Sequence, residues 1–72
     1  MEIREAVAAR IKEICAEKNI TMYRLGSLSG IPYSTLNSIL NGRSKNPGII
    51  TIKKLCDAME VSLSSFFDSD LF

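Results

Sequence analysis

Apolar residues recur in this chain at steps of three and four, and no segment alternates apolar with polar residues in steps of two. The first spacing lines side chains along one face of an α-helix, whereas a half-buried strand would need the second. Helices alone can therefore supply the core. Residues 2 to 18 form one amphipathic helix, with Ile3, Val7, Ile11, Ile14 and Cys15 inward and charges on the other faces. Asn19 tolerates the left-handed conformation that closes a helix. Thr21 can cap a second helix of about residues 22 to 29, with Leu25 and Leu28 inward, before Gly30 breaks it. Pro32 suits the first turn of a third helix, about 32 to 41, because its fixed φ is helical and its missing N–H would be unpaired there.

Leu36, Ile39 and Leu40 are the inward stripe of helix three, and Asn41-Gly42 stops it. A polar, basic loop from Arg43 to Gly48 leads into helix four, about Ile49 to Met59, with Ile52, Leu55, Cys56 and Met59 inward. Ser62 caps a last short helix whose apolar residues are Leu63, Phe66 and Phe67, and the tail from Asp68 to Phe72 has no period of its own. Between Met59 and Val61 only Glu60 is left to reverse direction, a geometry that commonly needs left-handed φ. The expected architecture is all-α, five helices in a single domain spanning 1–72.

Several functions are disfavoured by what is missing. The longest apolar run is four residues, Ala6 to Ala9, against about twenty for a membrane span. No basic, apolar leader opens the chain, which points to a cytoplasmic protein. There is no histidine, and Cys15 and Cys56 stand alone, so no metal site or cofactor is expected. Both cysteines occupy apolar helical positions and read as reduced core residues, a disulfide between them being the lesser alternative. Without histidine or a nucleophile-and-base spacing, enzyme chemistry has few candidate groups, and the chain is not expected to be an enzyme. At seventy-two residues, no separate ligand-binding domain is expected.

Net charge is +1, but its distribution is uneven. Residues 19 to 56 carry Arg24, Arg43, Lys45, Lys53 and Lys54 and no acid, whereas 57 to 72 carry Asp57, Glu60, Asp68 and Asp70 and no base. Such a basic middle suits an anionic partner. Helix three adds a second sign: its outer face holds Tyr33, Ser34, Asn37, Ser38 and Asn41, none of them charged. A face chosen for solubility alone would use Glu and Lys. Short side chains that donate and accept hydrogen bonds are what base edges require at close range. Helix capping by Ser and Asn is the plainer explanation of the same residues.

Residues 22 to 41 have the spacing of a helix-turn-helix: Leu25 inward, Gly26 small where the helices cross, Gly30 at the turn, Leu36 and Ile39 anchoring the second helix. With Asn41-Gly42-Arg43, Asn46-Pro47, and Leu55 through Val61-Ser62-Leu63, the chain resembles the lambda-repressor/Cro-like, or xenobiotic-response-element, family over about residues 7 to 67. The resemblance implies that helix three enters the major groove of double-stranded DNA, with Tyr33, Ser34, Asn37 and Ser38 at the bases. It places phosphate contacts at Met22, Tyr23, Arg24, Asn41, Arg43 and Lys45.

Three departures stand out. The first slot of helix two is often Gln in the family and is Met22 here, so Tyr23 or Arg24 substitutes for it. An ion pair common between helices one and three falls on Cys15 and Leu40, implying an apolar contact instead. The usual Gly before Val61 is Glu60. The expected function is a transcriptional regulator, a repressor, that binds a two-fold operator as a homodimer; the apolar candidates for the dimer surface are Phe66, Phe67, Leu71 and Phe72, with core or tail as the plainer reading and core preferred for Phe66. The alternative is a protein-interaction module, such as an antitoxin-like partner, built on the same fold.

Overall fold

The computed structural model describes residues 2–43 and 46–72 and contains α1 (Ile3–Lys18), α2 (Met22–Ser29), α3 (Tyr33–Leu40), α4 (Ile49–Met59) and α5 (Leu63–Phe67). No strand occurs among the described residues. α1 packs on α3 and α4, α2 packs on the same two, and α5 closes against α4. Phe66, Ile11, Leu25, Leu36, Leu55, Met59 and Cys56 are the large side chains wholly withdrawn from water at the centre. Every buried side chain among the described residues is apolar or a cysteine, so the core needs no internal polar network.

The helix ends explain why so short a chain can turn four times. After α1, α3 and α4, the residue in left-handed conformation is Asn19 (φ 58°), Gly42 (φ 69°) and Glu60 (φ 58°). In each case the following N–H reaches back across the last turn at 2.9 Å: Ile20 to Cys15 O, Arg43 to Ser38 O, Val61 to Cys56 O. That pairing satisfies carbonyls the helix ladder leaves open. Ile20 and Val61 then rest on the core, fixing the direction in which the chain leaves. Thr21 Oγ1 accepts from Arg24 N and Ser62 Oγ from Ser65 N, so both expected caps form.

Four details differ from expectation. Pro32 stands at the N-cap (ψ 141°) rather than in the first turn of α3, where its carbonyl still accepts the first helical bond from Leu36. Ile3, the first residue of α1, is 62% exposed, whereas Ala6 and Ala8 of the same helix are buried. Leu28 is 49% exposed. The inward stripe of α2 runs through Met22, Leu25, Gly26 and Ser29, which leaves Leu28 at its edge. The tail, finally, folds back: the Phe72 ring lies 5.0 Å from that of Phe67 and 6.1 Å from that of Phe66.

Arg10 ties the two ends of the chain together. Its Nε donates to Phe66 O and its Nη2 to Ser65 O, both at 2.8 Å, while Nη1 pairs with Glu13. The open carbonyls at the end of α5 are thus held by a charged donor. Cys15 and Cys56 are free and buried, and burial pushes both thiols up from their ordinary range. The Cys15 thiol lies 3.8 Å from Met59 Sδ, and Cys15 and Leu40 both belong to the core.

Two glycine exchanges follow from this backbone. Glu60 holds left-handed φ with a Cβ, which is disfavoured by roughly 1 kcal/mol, so Glu60→Gly should raise stability by about 0.5 to 1 kcal/mol after the greater freedom of unfolded Gly is allowed for. A Cβ on Gly26 would meet Leu36 Cδ2 at 3.7 Å and Ile31 O at 3.8 Å, ordinary contact distances. The crossing therefore needs a small residue and not glycine itself, and Gly26→Ala should add about 0.5 to 1 kcal/mol of helix stability. Chemical denaturation checks both. Each midpoint should rise; a fall for Glu60→Gly would contradict strain at residue 60, and a fall for Gly26→Ala would contradict room at the crossing.

Candidate nucleic-acid interface

α3 offers its two faces to different environments. Leu36, Ile39 and Leu40 are sunk in the core, with exposures of 0%, 2% and 6%. Tyr33, Ser34 and Asn37 stand on the opposite side in solvent, Ser38 is half-buried beside them, and Asn41 continues the row past the helix end. The apolar anchors fix the rotation of the helix about its axis, and that rotation presents the polar row outward. Thr35, which helical period alone did not single out, is also exposed on α3. It lies between the two stripes, and its signal was only that it shares the short, uncharged, polar character of its neighbours.

The turn that aims α3 is compact. Gly30 takes φ 72° and its N–H bonds back to Gly26 O at 3.0 Å. The Ser29 hydroxyl accepts from Ile31 N and donates to Gly26 O. Ile31 is buried and so pins the linker to the core. At the far end, Asn41 Nδ2 donates to Asn37 Oδ1 at 3.1 Å, joining two members of the outer row.

The expected phosphate-contact residues are less uniform. Met22 packs against the core, so what it can offer an anion is its backbone N–H at the start of α2, where the helix ladder supplies no partner. Tyr23 is 84% exposed, and Arg24 beside it is exposed too. Arg43 is exposed directly after α3, with its own N–H used in closing that helix. Lys45 lies outside the described residues.

Among the described residues, the bases of the middle of the sequence do not gather into one patch. Lys53 pairs with Asp57 one turn on at 2.5 Å, and that hydrogen bond and charge push the lysine up from its ordinary value. Arg24 and Lys54 line a groove between α2 and α4 together with Lys18, Asp57 and Glu60, so bases and acids alternate there. Among the cations whose placement is described, Arg43 is the one on the loop that follows α3. Charge in the α2–α4 groove, which Arg24 itself lines, is therefore mixed, whereas Arg43 stands exposed at the end of α3. Among the described residues no cluster of ligands could hold a metal ion, and no helix is long and apolar enough to cross a membrane.

Comparison with protein families matches residues 10–68 to the Cro/C1-type HTH DNA-binding domain, a span that takes in all of α2 to α5 and most of α1. Neither a curated protein nor a solved structure matches the chain.

Proposed function

The chain belongs to the Cro/C1-type helix-turn-helix DNA-binding family, and on that premise we propose that it is a sequence-specific transcriptional repressor acting on a two-fold operator in the cytoplasm. The observation that carries this reading is the exposed, uncharged polar row of α3 above its three buried anchors. A duplex approaches by its phosphates, met by Arg43, Lys45, Arg24, Tyr23 and the opening N–H groups of α2. α3 then lies in the major groove, where Tyr33, Ser34, Asn37 and Ser38 reach base edges.

So few cations give one subunit little affinity, which favours a homodimer. Of the four apolar candidates, Phe66 is wholly buried in the core, as preferred for it from the sequence. Phe67 and Phe72, at 40% and 39% exposure, remain available, and Phe67 shares a surface groove with Ile3 and Ile49. That neighbourhood is the apolar surface a second copy would cover. The same exposure of Ile49 and Ile50 (62% and 71%) supports the second reading, a module that binds another protein through this face.

Mutation separates these roles. Ser38→Ala should cost about 1 to 3 kcal/mol on the preferred site and flatten its sequence preference. Arg43→Ala should weaken all sequences alike and lower the salt slope by about one unit. Equilibrium binding to selected and scrambled duplexes at several salt concentrations distinguishes them; a protein that retains no duplex even at low salt belongs to the second reading. On a two-fold operator, footprints should show half-sites centred about ten base pairs apart. Sedimentation of a purely monomeric complex at micromolar protein would rule the dimer out.

A further inference from the structure

A main-chain nitrogen can attack the carboxamide carbon of the asparagine before it. The reaction is easiest where the attacking residue is glycine, which has no side chain to shield its nitrogen. Of the four asparagines, Asn46 precedes Pro47, which has no N–H to give up. Asn19 precedes the branched Ile20, whose N–H is held by Cys15 O at 2.9 Å. Asn37 lies inside α3, within the helical ladder. Asn41 is exposed, stands just past α3 and is followed by Gly42. The fold holds this pair back. Gly42 N–H donates to Ile39 O at 3.1 Å, Arg43 N–H donates to Ser38 O at 2.9 Å, and Asn41 ψ is 6°. Ring closure requires Gly42 N to leave its carbonyl and Asn41 ψ to turn until that nitrogen faces the carboxamide. Opening the last turn of an eight-residue helix is a local motion that leaves the core intact.

We propose that Asn41 is a site of spontaneous deamidation, gated by the cap of α3, whose products weaken the hold on DNA. Gly42 N loses its proton and bonds to Asn41 Cγ; the Cγ–Nδ2 bond breaks, and the nitrogen leaves with that proton as ammonia. Water then opens the cyclic imide at one carbonyl to give aspartate or at the other to give isoaspartate. Water enters, ammonia leaves, and nothing is oxidised or reduced. Either product sets a negative charge at the negative end of the α3 dipole and two residues from Arg43. Isoaspartate also lengthens the main chain by one carbon between Asn41 and Gly42, which breaks the register of the two bonds that close α3. The effect on DNA rests on the proposed reading by α3, whereas the reaction itself does not.

Ageing the full chain in mildly alkaline buffer, with and without denaturant, tests this by mass and peptide mapping. The chain should gain the mass of an NH-to-O exchange at residue 41 before any other asparagine, with isoaspartate among the products. Conversion should be about tenfold slower in the folded chain, the least that two closing hydrogen bonds should impose. Asn41→Gln, which would need a larger ring, should not convert at that position. Asn41→Asp supplies the aspartate product directly and should bind every duplex about tenfold more weakly, as a charge set near phosphates requires. If the folded chain reacts first at another asparagine, or not at all while the denatured chain converts, the site is overturned. Equal rates with and without denaturant would overturn the gate. If Asn41→Asp and the aged chain bind as the unmodified chain does, the effect on DNA is overturned. Ser38→Ala tells the two failures apart: its loss of sequence preference leaves reading by α3 standing, and its silence removes that reading too.

Discussion

The burial of one helical stripe governs everything else in this molecule. Leu36, Ile39 and Leu40 enter the core from α3, and fully burying a Leu or Ile side chain is favourable by roughly 1.5 to 3 kcal/mol. An eight-residue helix cannot persist in water unaided. Packing therefore creates α3 and sets its rotation in one step, and the polar row is outward because the apolar row is inward. Gly26, at the crossing, and Gly30, at the turn, allow α2 to sit close enough for Leu25 to share the same core. Arg10 and the phenylalanine cluster close the opposite end, far along the chain from the row they help to hold.

Most of this was legible from residue spacing, and the exceptions have physical causes. Period and breakers located all five helices, since a stripe at steps of three and four can be buried in only one way. Left-handed φ at Glu60 could be foreseen because one residue had to reverse the chain between Met59 and Val61. Ile3 and Leu28 are exposed because a period says that a residue could face inward, not that it is covered: Ile3 opens α1, and Leu28 lies at the edge of the α2 stripe. The docking of Phe72 onto Phe66 and Phe67 depends on contacts between aromatic edges, which a five-residue aperiodic tail does not announce.

The site was legible in part. Tyr33, Ser34, Asn37 and Ser38 were placed on one surface by helical period alone, and the fold sets them there. Charge was a poorer guide, because a run of bases in sequence need not be a patch in space. Lys53 is engaged by Asp57, and Lys54 and Arg24 face a groove that also carries acids. On the proposed reading, attraction to DNA draws on backbone N–H groups and a few exposed cations, with selectivity left to neutral side chains. The hydrogen bond between Asn41 and Asn37 was invisible to any pattern.

The central claim is that the outer row of α3 is the surface that meets DNA. It is tested most directly by following backbone amide signals of the labelled protein as a duplex selected from a random pool is added. The account predicts that shifts concentrate at Tyr33, Ser34, Asn37 and Ser38, with smaller changes at Tyr23, Arg24 and Arg43, and leave Arg10 and Glu13 on α1 untouched. Shifts confined to Ile3, Ile49 and Phe67, with α3 silent, would contradict it.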